Sequence, residues 1–146
     1  MTAPADECGA SSKAMIEAYT EAGLKPEDIT YINAHGTSTH LNDMLETKAV
    51  KIALGEEQAR KVKINSTKSM TGHMLGGTGA VEAAVCALSI RDSFIHQTIG
   101  YTTPDPECDL DYCVDGPVEM PVNAALSNSL GFGGHNATLC FKKCTD

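Results

Sequence analysis

The sequence contains no apolar run long enough to cross a bilayer. Its most hydrophobic stretch, Met74 to Ile90, is broken by Glu82 and loaded with glycine and alanine, short of the roughly 20 apolar residues that a helical span requires. No basic segment followed by an apolar run stands near the N-terminus, so no secretory signal and no membrane association are expected, and a cytoplasmic location is. Positive charge is scarce, with 11 Lys and Arg against 19 Asp and Glu and a net charge of −8. That excludes the basic footprint of a nucleic-acid binder and repels anionic partners wherever no local basic patch intervenes. Several catalytic signatures are absent. Gly36-Thr-Ser-Thr39 does not match the Gly-x-Ser-x-Gly elbow, and Gly76-Gly-Thr-Gly79 has neither P-loop nor dinucleotide spacing. Six cysteines are present, Cys8, Cys86, Cys108, Cys113, Cys140 and Cys144. Without a secretory context they read as reduced thiols, with Cys86 in core packing.

What is present is enough for one ordinary domain. The chain has 146 residues, 42% hydrophobic and 21% charged, and can bury a core without staples. An apolar face of Met15, Ala18, Tyr19 and Ala22 predicts a helix over residues 9–22, stopped by Gly23. Residues 29–34 read as a strand, and a helix capped by Asn42 or Asp43 runs to about Leu54, with Gly55 as its stop. Val62 to Asn65 reads as a second strand. Thr71 is the expected cap of a long Gly/Ala-rich helix reaching about Arg91, whose small side chains imply close packing. Strands are expected at 110–114, 122–127 and 137–142, the last two joined by a hairpin-like turn at Gly131-Phe-Gly-Gly134. Helices alternating with strands predict an α/β fold, a layered mixed β-sheet covered by helices, in a single domain over 1–146.

Two histidines stand where such folds place chemistry. His35 follows a strand directly. His73 lies near a helix start, where neighbouring amides disfavour a protonated ring. Neutral imidazoles in those places can donate N–H groups to one developing oxyanion. The residues alone leave open the alternative that each is a hydrogen-bonded structural histidine, the assignment given to His40, His96 and His135. A metal reading, pairing His35 and His40 with Asp43 or Cys140 with Cys144, fits no common zinc spacing. Lys68 and Glu82 would each be costly to bury alone, so they form an ion pair that fixes His73, or both face solvent.

Four segments together carry a resemblance: Tyr31-Ile-Asn-Ala-His-Gly-Thr-Ser-Thr39, Asn65-Ser-Thr-Lys-Ser-Met-Thr-Gly-His-Met-Leu-Gly76, Gly79-Ala-Val-Glu82 and Asn128-Ser-Leu-Gly-Phe-Gly-Gly-His-Asn136. In this order, and over nearly the whole chain, the sequence resembles the C-terminal half of type II β-ketoacyl-acyl-carrier-protein synthases, of the thiolase-like superfamily. The resemblance implies a decarboxylating Claisen condensation that extends an acyl chain on acyl carrier protein with malonyl units. His35 and His73 would bind the malonyl thioester carbonyl, and Lys68 with Glu82 would hold the site's geometry. Thr37 and Thr39 would bind the phosphopantetheine arm. Phe132, flanked by Gly131 and Gly133, would gate the acyl site and lend its N–H to an oxyanion hole. No metal or organic cofactor is implied beyond the carrier's phosphopantetheine, and a homodimer is.

Two departures stand out. Position 40 is His where the family usually has Pro. The family's nucleophile sits in an Ala-Cys-Ser-Ser type elbow in its N-terminal half, and none of the six cysteines here has that context. Met1-Thr-Ala-Pro also resembles an interior segment. The expectation is therefore a fragment or separately encoded half, inactive alone, whose partners are acyl carrier protein and the missing N-terminal half. The alternatives are half of a polyketide ketosynthase, a non-catalytic chain-length-factor-like partner, and a metal-binding module.

Overall fold

A computed structural model describes residues 8–144, so the Met1-Thr-Ala-Pro segment lies outside the described residues. In chain order the elements are α1 (Gly9–Glu21), β1 (Tyr31–Asn33), α2 (His40–Leu54), α3 (Glu56–Ala59), β2 (Lys63–Asn65), α4 (Lys68–Thr71), α5 (Thr78–Asp92), β3 (Phe94–Ile95), β4 (Val118–Glu119), β5 (Ala124–Gly131) and β6 (His135–Lys142). Four strands form a mixed sheet in the order β2-β1-β5-β6. The pairs β1–β2 and β1–β5 are parallel, and β5–β6 is an antiparallel hairpin closed at Gly131 opposite His135. The strands β3 and β4 form a separate antiparallel pair.

Side-chain alternation along the strands builds the layers. Ile32, Ile64, Ala124 and Leu126 point to one face, where Met15 and Tyr19 of α1 and Leu45, Ala49 and Val50 of α2 complete a core. Tyr31 and Ala125 point to the other, against Cys86 of α5 and Ile95. Tyr31, Ile32, Ile29 and Leu126 are fully buried. Burying both faces suits a parallel strand such as β1, whose three residues are all buried.

The structure redraws three expected elements. The helix expected to be capped by Asn42 or Asp43 already begins at His40, with Thr39 in the N-cap position, so both residues lie in its first turn. The long helix does not begin at Thr71. The four-residue α4 stops at Gly72, whose φ of 73° is a left-handed terminus. A short 3-10 turn over Leu75–Gly77 follows, and α5 starts at Thr78. Most of the glycines therefore lie ahead of the helix, where they carry no helical penalty. The face that α5 buries is Thr78, Glu82, Cys86 and Ser89, while Ala80, Val81, Ala84 and Leu88 face outward.

Residues 110–114 form no strand. They belong to an extended strap running from 96 to 117 between β3 and β4. Ile64 N–H donates to Asp111 C=O at 2.9 Å, so the strap lies along the free edge of β2 and covers it. Lys51 and Arg60 pair with Asp109, Lys63 pairs with Asp111, and the Tyr112 hydroxyl lies 2.5 Å from Thr47 Oγ1. Alternating Leu110, Tyr112 and Val114 imitate a strand pattern, but side-chain anchors hold this segment in place of a full ladder.

Candidate active site

The parallel strands β1 and β2 end side by side, Asn33 opposite Asn65. Each chain then turns into a polar loop at the carboxyl edge of the sheet, where open α/β sheets bind ligands. His35 lies two residues past β1, and Lys68 three past β2. The loops come so close that a Cβ on Gly36 would sit 2.7 Å from Ser66 Cβ. Gly36 also has a φ of 42°, and Ser66 Oγ donates to its carbonyl at 2.7 Å. Glycine is required there on both counts.

His35 is buried, and its ring meets that of His73 edge to face, with centroids 5.5 Å apart and planes at 85°. Burial first, then the charges of Lys68 and His73, holds the His35 pKa down at about 4, so this ring is neutral at physiological pH. His73 sits in the loop between α4 and α5, ahead of the helix. Leu75 N–H donates to His73 Nδ1 at 3.1 Å, and Thr78 Oγ1 lies 3.2 Å from the same nitrogen. A backbone N–H pointing at Nδ1 requires a lone pair there, so in the neutral ring the proton sits on Nε2 as a donor. The site thus juxtaposes two imidazoles fixed by different means, one by burial and one by a backbone hydrogen bond.

Beneath them Lys68 Nζ donates to Glu82 Oε1 at 2.5 Å, with side-chain exposures of 4% and 0%. Burial pushes the Glu82 carboxyl up, against the opposing pull of Lys68. Two polar side chains thus occupy a dry region where each would be intolerable without the other. Thr37 and Thr39 join through their hydroxyls at 2.9 Å at the exposed rim of the β1–α2 loop. A cavity of about 550 Å³ opens between this loop and the strap, lined by Thr37, Ser38, Lys68, Ser69, Thr98 and Tyr101 among others. The turn at Phe132 caps the β5–β6 hairpin. Phe132 is 75% exposed, Gly133 has a φ of 75°, and both Gly131 and Gly133 lie against His135.

Sequence reasoning missed Glu46. Its Oε1 accepts from the His35 N–H at 2.8 Å and its Oε2 from the Gly36 N–H at 2.9 Å, with Asn128 Nδ2 donating to Oε1 at 3.2 Å. The carboxylate thereby grips the backbone of the histidine loop from within α2. Burial raises its pKa, while those backbone bonds oppose the shift. The available signal was an acidic residue inside the apolar face formed by Leu45, Ala49 and Val50. Four of the cysteines, Cys86, Cys108, Cys113 and Cys140, are poorly placed for nucleophilic attack. Cys86 is fully buried, with its thiol pushed up to about 12 by burial and then by Glu82, and Cys113 is pushed up to about 11. Burial also raises Cys108 and Cys140. A thiol held well above 9 supplies little thiolate at neutral pH.

Comparison with known proteins gives a consistent picture. A family described as beta-ketoacyl synthase, C-terminal domain, matches residues 1–102. A 3-oxoacyl-[acyl-carrier-protein] synthase 2 from Staphylococcus aureus is 54% identical over 143 residues, which cover 98% of this chain and 34% of that protein. The protein of the same name from Synechocystis is 50% identical over the same shares. Among solved structures, a type II polyketide acyl-carrier protein in complex with its ketosynthase superposes with a TM-score of 0.89 at 39% identity, covering 99% of this chain and 35% of that one. A β-ketoacyl synthase from Burkholderia phymatum gives 0.87 at 34% identity, covering 99% and 34%. The chain spans about a third of the length of the curated relatives it matches.

Proposed function

The chain belongs to the β-ketoacyl synthase family, with the thiolase-like fold of that family's C-terminal domain, and on this premise we propose that it provides the decarboxylation centre of a 3-oxoacyl-acyl-carrier-protein synthase of fatty-acid elongation. The observation that carries the reading is the edge-to-face pair of His35 and His73 over the buried Lys68–Glu82 ion pair. Two N–H donors converging on a malonyl thioester oxygen stabilise the enolate left when the carboxylate departs as carbon dioxide. The bond pair freed from that C–C bond then attacks an acyl thioester, and the thiolate of a nucleophilic cysteine leaves. The raised thiols of Cys86, Cys108, Cys113 and Cys140, together with the absence of an Ala-Cys-Ser-Ser context at any of the six cysteines, fit a nucleophile supplied by another segment. Lys68 and Glu82 hold the ring geometry, and Thr37 in the cavity lining, with Thr39 bonded to its hydroxyl, receives the phosphopantetheine arm. Phe132, on its glycine-flanked turn, gates the acyl site and offers its N–H to the oxyanion. The partners are acyl carrier protein, a cysteine-bearing synthase segment and a second copy of the assembled enzyme, in the cytoplasm. The chemistry requires no metal or organic cofactor beyond the carrier's own arm.

The test combines this chain with a cysteine-bearing segment, acyl-acyl carrier protein and malonyl-acyl carrier protein, and reads 3-oxoacyl product by mass. Product is expected from the combination and none from this chain alone. Substituting His35→Ala or His73→Ala lowers decarboxylation by roughly 100-fold or more. Product from this chain alone, or full decarboxylation by either variant, sinks the reading. A polyketide role is the second reading, favoured by the likeness to a polyketide ketosynthase; the higher identity to the proteins named 3-oxoacyl-[acyl-carrier-protein] synthase 2 ranks it second. The length and oxidation state of the product separate the two.

A further inference from the structure

A buried polar network at the carboxyl ends of β1 and β2 converges on a histidine outside the pair already described. Asn33 Nδ2 donates to Thr67 Oγ1 at 2.7 Å, and Thr67 Oγ1 lies 3.0 Å from His96 Nε2. Asn65 Nδ2 donates to the His96 backbone carbonyl at 2.7 Å, while Tyr31 Oη donates to Asn65 Oδ1 at 2.8 Å. The exposures of Tyr31, Asn33, Asn65 and Thr67 are 0%, 0%, 1% and 3%. The far side of the His96 ring fixes the direction of the chain. His96 Nδ1 lies 2.8 Å from the Gln97 carbonyl, which only accepts, so Nδ1 carries the proton. In the neutral ring Nε2 is then an acceptor, and the Thr67 hydroxyl donates to it while receiving the Asn33 amide.

We propose that His96 is a positioning residue for decarboxylation, setting the spacing between the loop that carries His35 and the start of α4, where Lys68 stands. The inference rests on the functional reading above. Asn33 and Asn65 are register partners on neighbouring strands. One is tied to the His96 ring through Thr67, the other directly to the His96 main chain. Asn33 precedes His35 by two residues, and Thr67 immediately precedes Lys68. A single residue at the end of β3 thus holds both strand ends at the level where each hands over to a working side chain. Apolar residues in these positions would avoid burying several amide and hydroxyl groups, and would spare Asn33 Oδ1, which is buried without a partner; the bonds that Asn33 Nδ2, Thr67, Asn65 and Tyr31 do make each fix the direction of a side chain. A site whose loops relax by a few tenths of an ångström loses about tenfold in rate.

The test uses the combined synthase with Thr67→Val, His96→Leu and His96→Gln, the last retaining an acceptor for the Thr67 hydroxyl. Thr67→Val keeps the side-chain shape and removes the relay. Thr67→Val and His96→Leu are expected to lower kcat for malonyl decarboxylation by about tenfold with KM unchanged, and His96→Gln to recover most of it. Unchanged kcat per folded molecule in Thr67→Val and His96→Leu, even with lowered thermal stability, reduces the network to a structural one and overturns the proposal. So does a His96→Gln no better than His96→Leu. Nitrogen NMR of the histidine rings in this chain alone provides a readout independent of turnover. His96 is expected as the Nδ1–H tautomer, and Thr67→Val to shift the His35 ring signals. If the unmodified synthase decarboxylates nothing, the functional reading falls. The NMR arm then decides the relay, and an Nε2–H His96 or an unmoved His35 overturns it.

Discussion

Acidification should cost this protein stability through His35. The ring's pKa falls from 6.5 to about 4 on folding, mainly because burial disfavours its charged form. Between those values the unfolded chain binds a proton that the folded one refuses. The stabilisation is complete above 6.5 and is lost as the pH falls through the window toward 4. At 1.36 kcal/mol per pKa unit, the loss is about 2 kcal/mol by pH 5 and about 3 kcal/mol by pH 4. That is a large share of the roughly 5–15 kcal/mol typical of a domain. Glu46 acts in the opposite sense. Its pKa is raised, so its cost is present at neutral pH and is relieved as the pH falls. The comparison must therefore be between the unmodified protein and His35→Asn, which share Glu46 and differ in the titrating ring. Urea unfolding followed by circular dichroism at pH 7 and pH 5 should show the unmodified protein losing about 2 kcal/mol more than the variant. Parallel losses within about 0.5 kcal/mol would refute the claim that folding buries a neutral His35.

Breaking the buried ion pair should be expensive. Glu82→Ala leaves Lys68 4% exposed without a partner and is expected to cost about 3–5 kcal/mol, a drop on the order of 10 °C in melting temperature. A double replacement by Met at both positions should recover most of that, and a double variant no better than the single one would contradict the account. Gly36→Ala, with its Cβ 2.7 Å from Ser66, should cost about 1–3 kcal/mol from overlap and left-handed strain. Adding Ser66→Gly should restore the part due to overlap, which a thermal melt resolves.

Much of the framework was readable because its signals are local. The apolar faces of α1 and α2, the short apolar strands and the glycine turn before β6 each announce themselves within a dozen residues. Lys68 and Glu82 could be paired on paper because both lie close to one helix start. The strap at 110–114 could not be told from a strand, since its anchors Asp109, Asp111 and Tyr112 reach residues distant in sequence. The same reason hid Glu46 and the ring of polar contacts around His96. Each of their partnerships joins elements that only the sheet brings together. The start of α5 was misplaced because Thr71 is a plausible cap until Gly72 takes a left-handed turn, which no side-chain pattern reveals.

The pairing of Asn33 with Asn65 has one more consequence. Side chains on a strand alternate between faces, so a slip of one residue between β1 and β2 would send Asn65 to the opposite layer and carry Lys68 about 3.3 Å along the strand axis. The connection from β2 to α4, Ser66 and Thr67 alone, is too short to absorb such a shift. Alignment of the working groups is therefore all-or-none. Strand pairing acts as a vernier, and a molecule whose sheet has closed in the wrong notch would be folded without bringing His35, Lys68 and Glu82 to the places described above.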